Sequence, residues 1–274
     1  METVSTNLAF GGTQGVYAHQ SSATGTQMTF SVFVPPQAAH EKCPVVWYLS
    51  GLTCSHANVM DKGEYRRKAA ELGLIIVCPD TSPRGDDVPN DESWQMGQGA
   101  GFYVDATEEP WVTHFQMYSY VTTELPALIA GNFPADMSRQ GITGHSMGGH
   151  GALTIALKNP DTFKSCSAFA PITNPSTADW SKGALKAYLG TDETKWAAHD
   201  AVCLIGSGAR FPEILVDQGA ADNFFDGCNP QALQDACADT DIALTLRLQE
   251  GYDHSYFFIS TFMDDHLAWH AERL

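Results

Sequence analysis

The stretch Arg139-Gln140-Gly141-Ile142-Thr143-Gly144-His145-Ser146-Met147-Gly148-Gly149-His150-Gly151-Ala152-Leu153 decides how this chain is read. An apolar extended run from Arg139 to Thr143 enters a Gly-x-Ser-x-Gly pentapeptide, and Gly151 to Leu157 leaves it with helical character. The pentapeptide has a mechanical reason. A serine held in a strained strand-to-helix turn exposes its hydroxyl, and glycines two residues away avoid a clash there. With 24 glycines in 274 residues, chance alone supplies about 0.14 such pentapeptides, so the flanking pattern must decide. A strand before and small residues after (Gly149, Gly151, Ala152) favour a nucleophile elbow over a purely structural turn. His145 and His150 flank the serine but are expected to point away from the exposed face, as structural residues.

Outward from the elbow, residues 15 to 35 alternate polar and apolar around Thr24-Gly25, which predicts an antiparallel hairpin that starts a sheet at its edge. Val45 to Leu49 and Leu74 to Cys78 are continuous apolar runs separated by a helical stretch with Tyr65, Ala69 and Leu72, a β-α-β unit. Pro79 to Gly101 is too irregular for either period and long enough to suggest a functional loop. A helix is expected from about Phe115 to Ile129, with a kink or break at Pro126. Ser165 to Ala170, Ile214 to Asp217 and Leu244 to Leu248 read as further strands, with helices after Pro230 and Ser255. The alternation predicts an α/β fold: a mostly parallel central sheet, an antiparallel N-terminal edge and helices on both faces. Residues 1–274 are expected to form one domain, with a small helical insertion at about 171–212 centred on Leu185 and Trp196.

Composition removes several function classes. With 32 acidic and 15 basic side chains the net charge is -17, which repels nucleic acid and anionic lipid. No run approaches the roughly 18 apolar residues of a membrane span, and Met1 to Phe10 lacks the basic and apolar regions of a signal peptide, so a cytoplasmic protein is expected. Seven cysteines without a CxxC pair read as free thiols, with neither a disulfide framework nor a zinc cluster. An anionic substrate would need local cations such as Arg84, Lys182 or Lys186 to offset the overall field.

A serine hydroxyl needs an imidazole to accept its proton, and the imidazole needs a carboxylate to fix its tautomer. In this fold the acid and then the base follow the serine, each after a strand. Order removes His19, His40, His56, His114 and His145; His150 lies on the elbow helix, His199 in the insertion, and His266 and His270 in the terminal helix. His254, in Gly251-Tyr252-Asp253-His254-Ser255, remains. The acid belongs after the strand Ile214 to Asp217, where Asp217, Asp222 and Asp226 compete and spacing favours Asp222 modestly. Two preset N–H groups for the developing oxyanion are expected from Met147 and from Leu52, in Ser50-Gly51-Leu52-Thr53-Cys54. Cys54 would sit beside the pocket, either as a modifiable thiol or as small apolar packing.

Together, Leu49-Ser50-Gly51-Leu52-Thr53-Cys54, Gly101-Phe102-Tyr103-Val104-Asp105-Ala106-Thr107, Gly144 to Ala152, Asp217-Gln218-Gly219 with Asp222, and Tyr252-Asp253-His254-Ser255-Tyr256-Phe257-Phe258-Ile259 closely resemble the S-formylglutathione hydrolases of the esterase D family. The resemblance runs through essentially the whole chain. It implies an α/β-hydrolase fold, a Ser146, Asp222 and His254 triad, and cleavage of S-formylglutathione to formate and glutathione in formaldehyde detoxification, with side activity on short-chain esters. It also implies a cytoplasmic homodimer, no metal or cofactor, and sensitivity to thiol reagents at Cys54. Residues Ala178 to Gly190 depart from the family pattern in lacking its Pro-Trp-Gly opening, although Trp180 and Tyr188-Leu189-Gly190 remain. Phe102, Tyr103 and Trp180 are candidates for narrowing the acyl pocket, and Lys182 and Lys186 for meeting the substrate's carboxylates; ordinary packing is the competing explanation for the aromatic residues. A general carboxylesterase or acyltransferase, and a non-catalytic protein that kept the fold, are the rival functions.

Overall fold

A computed structural model describes residues 1–274, apart from the side chains of Asp179 and Trp180. Among the described residues, nine strands form one sheet in the order β1-β2-β3-β5-β4-β6-β7-β8-β9. They are β1 (Glu2–Ala9), β2 (Gly12–Gln20), β3 (Gln27–Val34), β4 (Cys43–Leu49), β5 (Ile75–Pro79), β6 (Ala135–Gly144), β7 (Phe163–Phe169), β8 (Glu213–Gly219) and β9 (Ala243–Gln249). β1, β2 and β3 run antiparallel, and β3 also pairs antiparallel with β5; from β5 to β9 every pairing is parallel. The α/β-hydrolase architecture expected from the sequence is therefore present.

One correction concerns the edge. The sheet begins with β1, not with the hairpin at residue 15, and Phe10-Gly11 makes the turn into β2 with both residues at positive φ (50° and 77°). Such a turn matches the twist of a hairpin. β1 is exposed almost throughout, so it carries no apolar period to reveal it, and backbone pairing alone defines it.

The apolar runs are buried on both faces. In β4, Val45, Trp47 and Leu49 join one core, while Val46 and Tyr48 join the other. Burying such side chains stabilises by about 1.5–3 kcal/mol each, which commits β4 to the middle of the sheet. Helices α1 (His56–Lys62) and α2 (Arg66–Leu72) supply Val59 and Ala69 to the second core. The expected helix at 115–129 is instead α3 (Met117–Ser119), a π turn (Tyr120–Glu124) and α4 (Leu125–Asn132), with Pro126 in the first turn of α4. The wide turn accommodates the proline, whose missing N–H would otherwise break the ladder.

The elbow helix is α5 (Met147–Lys158). Between β7 and β8 the chain forms α6 (Asp179–Leu189), α7 (Glu193–Ala197) and α8 (Ala201–Gly206), one helix more than the two candidates read from sequence. After β8 come α9 (Phe225–Cys228) and α10 (Pro230–Ala238), and α11 (Tyr256–Ala271) follows β9. α11 lies on the second face, burying Phe258, Ile259, Met263 and Leu267. The chain leaves β4 toward β5 on one side and later returns to β6 on the other, so the loops at the carboxyl ends of β4 and β6 part and open a crevice. Among the described residues no helix is long and apolar enough to cross a membrane.

Candidate active site

Ser146 caps the N-terminus of α5 with φ 57° and ψ -118°, a conformation that costs on the order of 1–3 kcal/mol and must be held by its surroundings. Backbone bonds hold it, among them His145 N–H to Leu49 O (3.0 Å), Ser146 N–H to Phe169 O (3.0 Å) and Gly148 N–H to His145 O (2.8 Å). The pentapeptide glycines are required by space. A Cβ on Gly148 would stand 1.9 Å from Leu49 O, and one on Gly144 would stand 2.3 Å from Gly148 O. The strand and helix at the elbow pack too closely for any side chain there.

The loops after β8 and β9 bring Asp222 and His254 together, with Nδ1 of the imidazole 2.6 Å from Oδ2 of the carboxylate. Asp222 also accepts from Phe224 N–H (2.7 Å) and from the Gln218 amide (2.9 Å). Burial by itself raises the Asp222 carboxyl, but the bonds from His254, Phe224 and Gln218 outweigh it and hold the group below the usual carboxylate range. The pair is an ionised acid bonded to an imidazole. Of the two other sequence candidates for the acid, Asp226 is exposed, and Asp217 is fully buried against Arg247, at 2.6 Å to both carboxylate oxygens.

Ser146 and His254 line one cavity of about 360 Å³ together with Gly51, Leu52, Thr53, Cys54, Trp94, His145, Phe224 and Cys228. Leu52 N–H and Met147 N–H find no protein acceptor among the described residues, Leu52 because it lies in an irregular loop and Met147 because it opens the helix. That loop is fixed from both sides. Thr53 N–H donates to Gly99 O (2.9 Å), the Tyr103 hydroxyl donates to Ser50 O (2.9 Å), and Arg84 bonds to Asp80 and to Cys54 O (2.9 Å). Arg84 is thereby a brace for the loop.

Several expectations change here. Phe102 is absent from the cavity wall: it is fully buried, its ring 6.1 Å from that of His150, whose Nε2 lies 3.2 Å from Phe102 O. Phe102 and Tyr103 therefore support the elbow and the neighbouring loop from behind. Lys182 and Lys186 belong to α6 and do not line the cavity, and Trp180 lies outside the described side chains. His150 is buried as expected, and burial lowers its imidazole to about 4. His145, expected to face away, instead lines the cavity with its ring 4.4 Å from that of His254. Burial, and then the nearness of His254, hold His145 well below the usual histidine value. It is a neutral wall beside the imidazole.

Sequence reading missed Trp94, Phe224 and Cys228. Phe224 lies 5.0 Å from the His254 ring and 6.3 Å from Trp94, and both aromatics are partly exposed at the rim. A cysteine and two aromatics in irregular loops carry no periodic signal, so only the closing of the loops identifies them. Asp222, Cys228 and His254 bring ligand atoms within 4.8 Å of one another, yet the histidine–carboxylate bond already uses Nδ1 and a carboxylate oxygen. The Cys228 thiol donates to Ala170 O (3.3 Å) and is pushed up by burial and then by Asp222, so it is a poor metal ligand. Burial likewise raises the Cys54 thiol, although Tyr256, Lys62 and Arg84 partly offset it.

The Esterase family model matches residues 21–269. The S-formylglutathione hydrolase of Paracoccus denitrificans (strain Pd 1222) is 58% identical, over 100% of this chain and 98% of its own. That of Mus musculus is 52% identical, over 100% and 99%. A solved S-formylglutathione hydrolase from Agrobacterium tumefaciens superposes with a TM-score of 0.99 at 68% identity, covering 100% of both chains. By sequence along its whole length and by fold, the chain belongs to the S-formylglutathione hydrolase family of serine esterases.

Proposed function

We propose that the chain hydrolyses S-formylglutathione to formate and glutathione by a two-step acyl transfer at Ser146. The observation that carries the reading is the convergence of Ser146 and His254 on one cavity, with Asp222 bonded to the far nitrogen of the imidazole. His254 Nε2 takes the Ser146 proton as the hydroxyl oxygen bonds to the formyl carbon, and Leu52 and Met147 N–H groups receive the oxyanion. Each such donor lowers the barrier by roughly 3 kcal/mol. The carbon–sulfur bond then breaks, His254 returns the proton to the sulfur, and glutathione leaves as a thiol. Water, deprotonated by His254, attacks the formyl ester, and the collapse restores the Ser146 hydroxyl and releases formate. A thioester suits the site because sulfur stabilises its carbonyl weakly.

Under the same reading the chain acts as one domain, with the 171–212 helices as an insertion, in a cytoplasmic homodimer that serves formaldehyde detoxification and cleaves short-chain esters as a side activity. No metal or cofactor takes part in the scheme. The test compares kcat/KM on S-formylglutathione with that on 4-nitrophenyl acetate, for the wild type beside Ser146→Ala. The expected result is a clear thioester preference and loss of both activities in the variant. A marked preference for the ester would instead identify a general carboxylesterase.

A further inference from the structure

Beneath the elbow, and sealed from solvent, lies a second serine–histidine–aspartate cluster that the mechanism does not use. His266 Nε2 is 3.2 Å from Asp217 Oδ2, and His266 Nδ1 is 2.9 Å from Ser167 Oγ. Ser167 Oγ is also 2.9 Å from His270 Nε2 and 2.8 Å from Thr143 Oγ1, and His270 Nδ1 is 2.6 Å from Ser165 Oγ. Asp217, Ser165, Ser167, His266 and His270 are all 0% exposed. Room is made for them by Gly141, where a Cβ would stand 2.5 Å from Ser165 Oγ and 2.7 Å from His270 Nδ1.

The proton order follows from the acceptors. Asp217 can only accept, so His266 carries its proton on Nε2. The single Ser167 hydroxyl proton goes to Thr143 Oγ1, so His270 donates to Ser167 from Nε2 and accepts at Nδ1 from Ser165. The rest of the inward face of α11 is apolar, and polar groups buried among it fix one arrangement more than they add stability.

His266 is the node of two routes to the site. Its ring stacks on Phe169 at 3.7 Å, and Phe169 O accepts the Ser146 N–H. Asp217, its other partner, is followed by Gln218, whose amide donates to Asp222. We propose that His266 is a positioning residue: through Phe169 on one side and Asp217–Gln218 on the other, it sets the elbow serine and the acid in register for His254. The inference rests on the assignment of Ser146, His254 and Asp222 made above.

The test is the rate at which a fluorophosphonate labels Ser146, measured against pH, because that rate needs the activated hydroxyl but not the natural substrate. His266→Phe should label at least about tenfold more slowly, since misplacing a reacting group by a fraction of an ångström has effects of this order. Its pH midpoint should fall, because a displaced Asp222 stabilises the charged His254 less. His266→Gln, which keeps a donor and an acceptor, should recover part of the rate, and Ser167→Ala should slow labelling by about threefold. Met263→Ala, on the same buried helix face, is the packing control and should lower Tm while staying within about twofold of the wild-type rate. Wild-type rates and midpoints in His266→Gln and Ser167→Ala as well as His266→Phe would overturn the proposal, as would an equal loss in Met263→Ala. Should His266→Phe not fold, the Gln and Ala variants decide alone. A wild type that does not label at Ser146 would refute the triad assignment itself, and the inference with it.

Discussion

Two serine–histidine–aspartate clusters draw their acids from β8 and the loop that follows it, and differ in almost everything else. Ser146, His254 and Asp222 meet at the carboxyl edge of the sheet, on loops, around a cavity of about 360 Å³. Ser167, His266 and Asp217 meet inside the protein, on two strands and a helix, with no exposure. Ser167 sits in regular strand backbone, whereas Ser146 is held at φ 57° on a helix N-terminus beside two unengaged N–H groups. The three residue types do not by themselves make a nucleophile. Under the proposed function, backbone strain at the elbow, N–H donors without a protein acceptor and room for a substrate separate the first cluster from the sealed one.

Substituting the two serines gives the largest contrast. Ser146→Ala should reduce kcat/KM by at least about a hundred-thousandfold, and Ser167→Ala by less than about tenfold. Comparable losses on S-formylglutathione would erase the distinction. The two acids should divide differently. Asp222→Asn should slow turnover by about ten-thousandfold, because the imidazole loses its tautomer and its counter-charge, while changing Tm little. Asp217→Asn leaves Arg247 facing a neutral partner and should destabilise by about 3 kcal/mol, read as a drop in Tm, with a smaller loss of rate.

Acid sharpens the comparison further. Burial holds His266 and His270 below the usual histidine value, and lowers His150 to about 4. An unfolded histidine takes its proton near pH 6.5 and these do not, so the unfolded chain binds more protons below that pH and stability falls as pH drops. Asp217 and Asp222 act in the same direction at lower pH. Burial raises both, but their hydrogen bonds lower them further, so their contribution is present above about pH 3.9 and is lost below it. Tm should therefore fall steadily from pH 7 to pH 4.5, and less steeply in His266→Phe, which lacks one of these groups; equal slopes would contradict the account. Smallest of all, Trp94→Ala should raise KM for S-formylglutathione by about threefold by removing one aromatic face at the cavity rim.

The gathering of Ser146, Asp222 and His254 at one cavity was largely legible in the sequence and the sealed cluster was not, for a physical reason. The elbow is local: strand, glycines, serine and helix are contiguous, and close packing at Gly144 and Gly148 leaves its mark within five residues. His254 could be found by order along the chain because each partner follows its own strand. The sealed cluster draws on Thr143, Ser165, Ser167, Asp217, His266 and His270, each unremarkable where it stands. Only the parallel pairing of β6, β7 and β8 under α11 assembles it. The choice between Asp217 and Asp222 turned on the same point, since spacing separates them weakly and their partners separate them fully. Phe102 misled because a bulky residue in a functional loop supports a site as readily as it lines one.

The most direct measurement of the central claim is peptide mapping by mass spectrometry after saturation with a fluorophosphonate. The account predicts one adduct, on the peptide carrying Ser146, lost in Ser146→Ala and unaffected by removing Ser167. Modification of Ser167, or an unlabelled protein that still turns over thioester, would contradict it.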